Sequence, residues 1–275
     1  MNDVKWKFLP QPRQVTWGEG RFALTPDRLI LLDAPAPQSL RLAARTFQMQ
    51  LTSRFDISWE TVASRATPAD QIGLRITVMP QAVAQPEGYR LVITPAGMEI
   101  QAHDAAGAFY AVATLNQLLA QCNPQCETPA LPTVEIEDWP DFPVRSVMLD
   151  ISRDKVPQMS TLYALVDRLA SWKINQLQLY TEHTFAYRQH PEVWAEASPI
   201  TAEEILALDA YCRERHITLV PNQNSFGHMA RWLKHERYAH LAEIHGEFKT
   251  PWGTMLGPFS LAPTELGSLE LIRSL

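Results

Sequence analysis

The sequence is poor in several features, and each shortage narrows what the chain can be. Basic residues number 24 against 30 acidic ones, giving a formal net charge of -6. Binding to nucleic acid or to an anionic lipid surface normally shows as an excess of Lys and Arg, so neither partner is expected. Long apolar runs are missing too. The N-terminus, MNDVKWKFLPQPRQ, lacks the apolar stretch a secretory signal needs, and no later run is long enough to span a bilayer. The expected location is therefore cytoplasmic, with no membrane contact. Only three cysteines occur. Cys122 and Cys126 form a C-x3-C and Cys212 lies far off in a helix-like segment, too small a set for a disulfide framework or a four-cysteine zinc site. All three are expected to be reduced and structural. No H-E-x-x-H occurs, and His235, His240 and His245 recur every five residues, which turns successive side chains off a common helical face. No metal site is expected, and those histidines read as solvent-facing. No G-x-G-x-x-G follows a strand-like run, so no dinucleotide or other cofactor is expected.

What is present is a 275-residue chain, 46% hydrophobic and 20% charged, able to bury one large core or two smaller ones. EGYRLVIT and MEIQAH read as two strands across a Pro/Gly turn. DAAGAFYAVATLNQLLAQ follows with Asp104 as N-cap and Ala108, Val112, Leu115 and Leu119 at helical spacing. Prolines 124, 129, 132, 140 and 143 then forbid a continuing helix and mark a connection. The domain boundary is placed near Pro140, giving a small N-terminal α/β domain over 1–140 and a second domain over 141–275.

Beyond that boundary, apolar strands alternate with amphipathic helices. RSVMLDIS reads as a buried strand. Ser160 is a candidate cap for a helix carrying Leu162, Leu165, Val166 and Leu169, and INQLQLYTE is a second strand. Thr201 with Glu204 makes a capping box that opens a helix with Ile205, Leu208 and Cys212 inward, and ITLVPNQN is a third strand. Three βα units in series predict a parallel sheet, either doubly wound or a (β/α)8 barrel. The missing glycine fingerprint favours the barrel.

Each of the three strands delivers unusual polar groups at its C-terminal end. The first gives Asp150, Ser152 and Arg153, the second Glu182 and His183, the third Asn222, Asn224 and His228. In a parallel barrel these ends share one rim, where barrel enzymes build their sites. Plainer readings exist for each residue: a surface ion pair for Arg153, a rim or capping carboxylate for Glu182, a solvated turn for Gly227-His228. Their convergence from three independent strand ends argues for a site. Trp172, Trp194, Trp232 and Trp252 are expected to be partly core, with one or two free to stack on an apolar sugar face.

The segments RSVMLDISRDKVP, LASWKINQLQLYTE and ITLVPNQNSFGHMARW, in this order after a domain ending in DAAGAFYAVATLNQLL, resemble the family 20 glycoside hydrolases, the β-N-acetylhexosaminidases. The resemblance covers nearly the whole chain. It implies an N-acetylhexosamine-terminated glycan as partner, with Arg153 as a substrate-binding residue that holds hydroxyls of the terminal sugar. It also implies Glu182 and His228 as a catalytic network supporting the proton donor. The family reaction is substrate-assisted and retaining: the 2-acetamido oxygen attacks the anomeric carbon, a Glu acts as acid and base, and the preceding Asp orients the acetamido group.

This sequence departs from the family where TEHT replaces an Asp-Asp pair, where Phe226 precedes Gly227-His228 in place of a proline, and where Asn222 and Asn224 replace acidic residues. It also has no Asp-Glu dipeptide, and the second domain holds about half of the roughly 250 residues of a typical barrel. The expectation is thus an incomplete (β/α)8 barrel, the N-terminal part of a longer hydrolase, inactive alone. Two alternatives stay open: a non-catalytic carbohydrate-binding or regulatory module, and a metal-dependent barrel hydrolase.

Overall fold

The computed structural model describes residues 6–64, 66–126, 128–153 and 155–275. They form two compact units: residues up to Arg145 together with Arg168–Lys173, and Ser146–Asp167 together with Ile174–Leu275.

The first unit is built on seven strands, β1 (Gln14–Ala23), β2 (Leu29–Asp33), β3 (Glu60–Val62), β4 (Ile72–Val78), β5 (Tyr89–Thr94), β6 (Gly97–Ala102) and β7 (Ala130–Asp138). Their spatial order is β1-β7-β5-β6-β4-β2-β3. The expected pair of strands is present: β5 and β6 run antiparallel from Tyr89↔Ala102 to Thr94↔Gly97. Each buries every second residue, because successive side chains leave opposite faces. Leu74, Ile76, Leu91, Ile93 and Ile100 form a core with Phe47 and Leu51 of α1 (Arg41–Phe55) and Val112, Leu115 and Leu119 of α2 (Ala105–Gln121). Helix α2 begins at the expected cap, with the Asp104 carboxylate accepting from the Gly107 amide at 2.8 Å. Gly107 is required by packing, since an added Cβ would lie 2.3 Å from the Gly88 carbonyl oxygen.

Within this unit Lys173 and Asp138 form a buried ion pair at 2.7 Å, each less than a tenth exposed. The Lys173 ammonium also donates to the Tyr89 hydroxyl at 3.0 Å, and that hydroxyl lies 2.6 Å from Thr114 Oγ1. Burial lowers the Lys173 pKa and Asp138 opposes the shift.

In the second unit β8 (Ser146–Asp150), β9 (Gln176–Thr181) and β10 (Thr218–Gln223) are parallel, in the order β10-β9-β8. They alternate with α3 (Met159–Ser171), the short α4 (Pro191–Trp194) and α5 (Ala202–Glu214). Successive parallel βα units of this kind are the arrangement of an incomplete (β/α)8 barrel, so the α/β expectation holds. Helix α5 starts at the Thr201–Glu204 capping box with both reciprocal bonds formed. After β10 come α6 (Ala230–Leu233), α7 (Glu236–Ala239), the ribbon β11 (Phe248–Lys249) with β12 (Met255–Leu256), and α8 (Leu266–Ser274). Trp232, fully buried, centres an apolar cluster with Met229, Leu233, Tyr238, Leu261 and Leu271. Trp172 and Trp252 are exposed. Among the described residues no helix is long and apolar enough to cross a membrane.

Three local expectations need correction. Ser160 is not a cap: α3 starts at Met159, and the Gln158 carbonyl accepts the Thr161 and Leu162 amides at 2.9 and 3.1 Å. Pro157 disfavours an extension further back. Strand β8 is not buried on both faces, since Met148 is 59% exposed. It is an outer strand of the three, and an apolar run specifies the strand without specifying what lies opposite each face. His235 is not solvent-facing like His240 and His245: it is half-buried and its Nε2 is shielded. It lies just beyond α6, whose Trp232 and Leu233 draw that turn inward.

Candidate functional site

The register of the parallel strands brings the predicted residues together. Asp150 of β8 and Asn222 of β10 both pair with Tyr180 of β9, so the three strands end side by side. Residues just past those ends emerge on one rim. Ser152 ties the first two loops: its amide donates to Asp150 Oδ1 at 2.9 Å, and its hydroxyl accepts from the Glu182 amide at 2.7 Å. The Glu182 carbonyl accepts from Gln223 Nε2 at 3.0 Å and Trp232 Nε1 at 2.6 Å. Backbone position at Glu182 is thus fixed from β8, β10 and α6 together.

The side chains of Arg153, Glu182 and His228 meet there. Arg153 pairs with Asp150 through Nη1 and lies 3.4 Å from Glu182 Oε1 through Nη2. His228 Nδ1 is 3.4 Å from both Glu182 Oε1 and Arg153 Nη2. Those two contacts make opposite demands on one nitrogen, which cannot donate to the carboxylate and accept from the guanidinium at once. The carboxylate is the better acceptor, so the proton is assigned to Nδ1, leaving Nε2 as a free acceptor. The Tyr180 hydroxyl donates to Glu182 Oε1 at 2.9 Å and accepts from Asn224 Nδ2 at 2.7 Å. Burial raises the Tyr180 pKa, with Asn224 pulling it down and Glu182 pushing it up. Asp150 holds the Arg153 guanidinium above its ordinary pKa, with desolvation opposing it and Glu182 adding to the rise. The Arg153 guanidinium also lies over the Tyr180 ring, 5.3 Å from its centroid.

Exposure within the cluster is graded. The side chain of Glu182 is 11% exposed, while those of Arg153 and His228 are 54% and 43% exposed. A shielded carboxylate therefore backs a cation and an imidazole that face outward. His228 has a backbone φ of +55°, a left-handed conformation that costs a non-glycine residue about 1 kcal/mol or more. Gly227 carries no such strain and an added Cβ there would meet nothing within 4 Å, so His228 itself makes the turn. The Phe259 ring packs edge-on to the imidazole at 4.7 Å.

Two of the polar strand-end residues lie outside this cluster. Asn222 donates to Gln178 Oε1 at 2.9 Å, one rung below the rim. His183 turns away from it and is 9% exposed, its pKa lowered by burial and then by Arg231. Sequence reasoning missed Tyr180. The signal was available, because Tyr180 and Glu182 are two residues apart on an extended segment and so share a face.

Comparison with known proteins bears on the family and the fold. Residues 6–139 match glycosyl hydrolase family 20, domain 2, and residues 142–255 match the catalytic domain of the same family. The chain is 30% identical over 179 residues to an N,N'-diacetylchitobiase of Vibrio harveyi, covering 65% of this chain and 18% of that protein. It is 26% identical over 269 residues to a beta-hexosaminidase of Porphyromonas gingivalis, covering 90% of this chain and 34% of that protein. Among solved structures, a chitobiase of Flavobacterium johnsoniae superposes with a TM-score of 0.80 at 22% identity, over 96% of this chain and 41% of that one. A Streptomyces plicatus N-acetyl-beta-hexosaminidase in complex with Thio-NAglucal superposes with a TM-score of 0.79 at 24% identity, over 97% of this chain and 55% of that one. The chain thus spans well under two thirds of each of these relatives. With both of its halves matched by domains of one family, this chain belongs to glycosyl hydrolase family 20.

Proposed function

We propose that the chain carries the sugar-holding side of a β-N-acetylhexosaminidase active site, acting on glycans that end in N-acetylhexosamine. The observation that carries this reading is the meeting of Arg153, Glu182 and His228 within 3.4 Å of one another at the ends of three parallel strands. Arg153 is the substrate-binding residue. Its planar guanidinium, turned outward, can give two parallel hydrogen bonds to neighbouring sugar hydroxyls. Glu182 fixes the His228 tautomer and ring orientation, and His228 Nε2 is then free to support a proton donor. The reaction class is substrate-assisted retaining hydrolysis, in which the acetamido oxygen of the sugar attacks the anomeric carbon.

That chemistry needs an acid to protonate the leaving oxygen and a carboxylate to orient the acetamido group. No Asp-Glu dipeptide occurs in these 275 residues, so we assign this chain binding and positioning without turnover. Residues 1–140 are proposed to form an accessory domain and residues 141–275 the part of the catalytic barrel that holds the sugar. The test is release of an aryl leaving group from an aryl N-acetylhexosaminide by the purified chain. The expected rate is that of buffer. Enzymatic turnover would overturn the assignment and make Glu182 the candidate acid.

A further inference from the structure

A cavity of about 600 Å3 opens in the second unit beside the strand-end cluster and separate from it. Its wall includes Ser152 and His183, but not Arg153, Glu182, Tyr180, Asn224 or His228. Three permanent cations line it, Lys155, Arg231 and Lys234. None of the three is engaged in an ion pair among the described residues. Two carboxylates share the wall. Glu192 is already held by Arg237 at 3.0 Å and by the Tyr238 hydroxyl at 2.8 Å, which leaves Glu196 to face three cations.

The imidazoles point the same way. His183 and His235 both line the cavity, and burial, then Arg231 and, more weakly, Lys234 lower the His183 pKa, which places that ring within reach of two of the cations. Like charges gathered around a concave surface are costly until an anion enters, and Arg and Lys together are suited to an oxyanion. The volume exceeds what a free inorganic ion would fill and falls within the range of roughly 300–1,000 Å3 typical of small-molecule sites.

We propose that this cavity binds an oxyanion group, a sulfate, phosphate or carboxylate, carried on a molecule of about monosaccharide size. The site is distinct from the sugar-holding cluster and does not use Arg153. The test follows the ring signals of His183 and His235 by nuclear magnetic resonance at fixed pH. Glucose 6-sulfate, sodium sulfate, glucose and sodium chloride are titrated at matched ionic strength. Glucose 6-sulfate is expected to give a saturable shift, sodium sulfate a weaker one, and glucose and chloride none. Arg231→Gln together with Lys234→Gln, both exposed positions, should weaken glucose 6-sulfate binding at least about tenfold, as expected on losing two charge-assisted contacts, with an unchanged melting midpoint. Arg153→Ala should leave this titration unaltered, which separates failure here from failure of the N-acetylhexosamine reading. No saturable shift with either sulfate, an equal shift with chloride, or indifference to the double substitution would overturn the proposal. Equal affinity for free sulfate and glucose 6-sulfate would overturn its carrier.

Discussion

Removing one oxygen from Tyr180 tests how the Glu182 carboxylate is held. In Tyr180→Phe, Glu182 Oε1 loses a donor at 2.9 Å and Asn224 Nδ2 loses an acceptor at 2.7 Å. A hydrogen bond to an ionised group contributes about 1.5–3 kcal/mol net. Tyr180 is only half-buried, so water replaces part of the loss, whereas Glu182 is 8% exposed and cannot be fully rehydrated. The lower end, about 1.5 kcal/mol, is the expected cost. For a protein of this size that is a fall of about 3–6 °C in melting temperature. The assay is a double-mutant cycle by thermal or urea unfolding with Tyr180→Phe, Glu182→Gln and the pair. Coupling of about 1 kcal/mol or more is expected, because the two side chains share one charge-assisted bond. Additivity within about 0.3 kcal/mol would refute the claim that Tyr180 holds Glu182.

Other outcomes follow from the same contacts. Lys173→Met strands the buried Asp138 carboxylate and should destabilise the protein by about 3–5 kcal/mol, while Lys173→Met with Asp138→Leu should recover much of it in urea unfolding. For Glu192, burial raises the pKa, but its own backbone amide, Tyr238 and Arg237 outweigh that and bring it from 4.5 down to about 2. A depressed carboxylate contributes stability that is complete above 4.5 and lost as pH falls toward about 2, so Glu192→Gln should lose less stability than the parent across that window in acid melts.

Much of this architecture was legible because its signals are local. Asp104 and the Thr201–Glu204 pair announce helix starts through side chains that satisfy amides within three residues of themselves. The strand ends were legible for a different reason: βα repetition forces parallel strands, and parallel strands gather their C-terminal residues on one rim. Contacts between distant segments left no such trace. Nothing near Lys173 announces a partner 35 residues earlier at Asp138 or 84 residues earlier at Tyr89. The two asparagines at the end of β10 looked equivalent, yet Asn224, just past the strand, reaches Tyr180 and Asn222, within it, reaches Gln178, a distinction set by strand register. The exposed face of β8 was also illegible, since Val147, Met148 and Leu149 read as buried whichever face is covered.

Arg153, Glu182 and His228 are proposed to form one site that receives a terminal N-acetylhexosamine. Its most direct test is to titrate N-acetylglucosamine into the isotope-labelled chain, following the Arg153 side-chain and His228 ring signals, and to repeat the titration with Arg153→Ala. Saturable shifts at both residues are predicted, with affinity falling by about 1.5–3 kcal/mol in the variant, the scale of hydrogen bonds from a charged donor. Shifts confined to other surfaces, or an affinity untouched by Arg153→Ala, would contradict it.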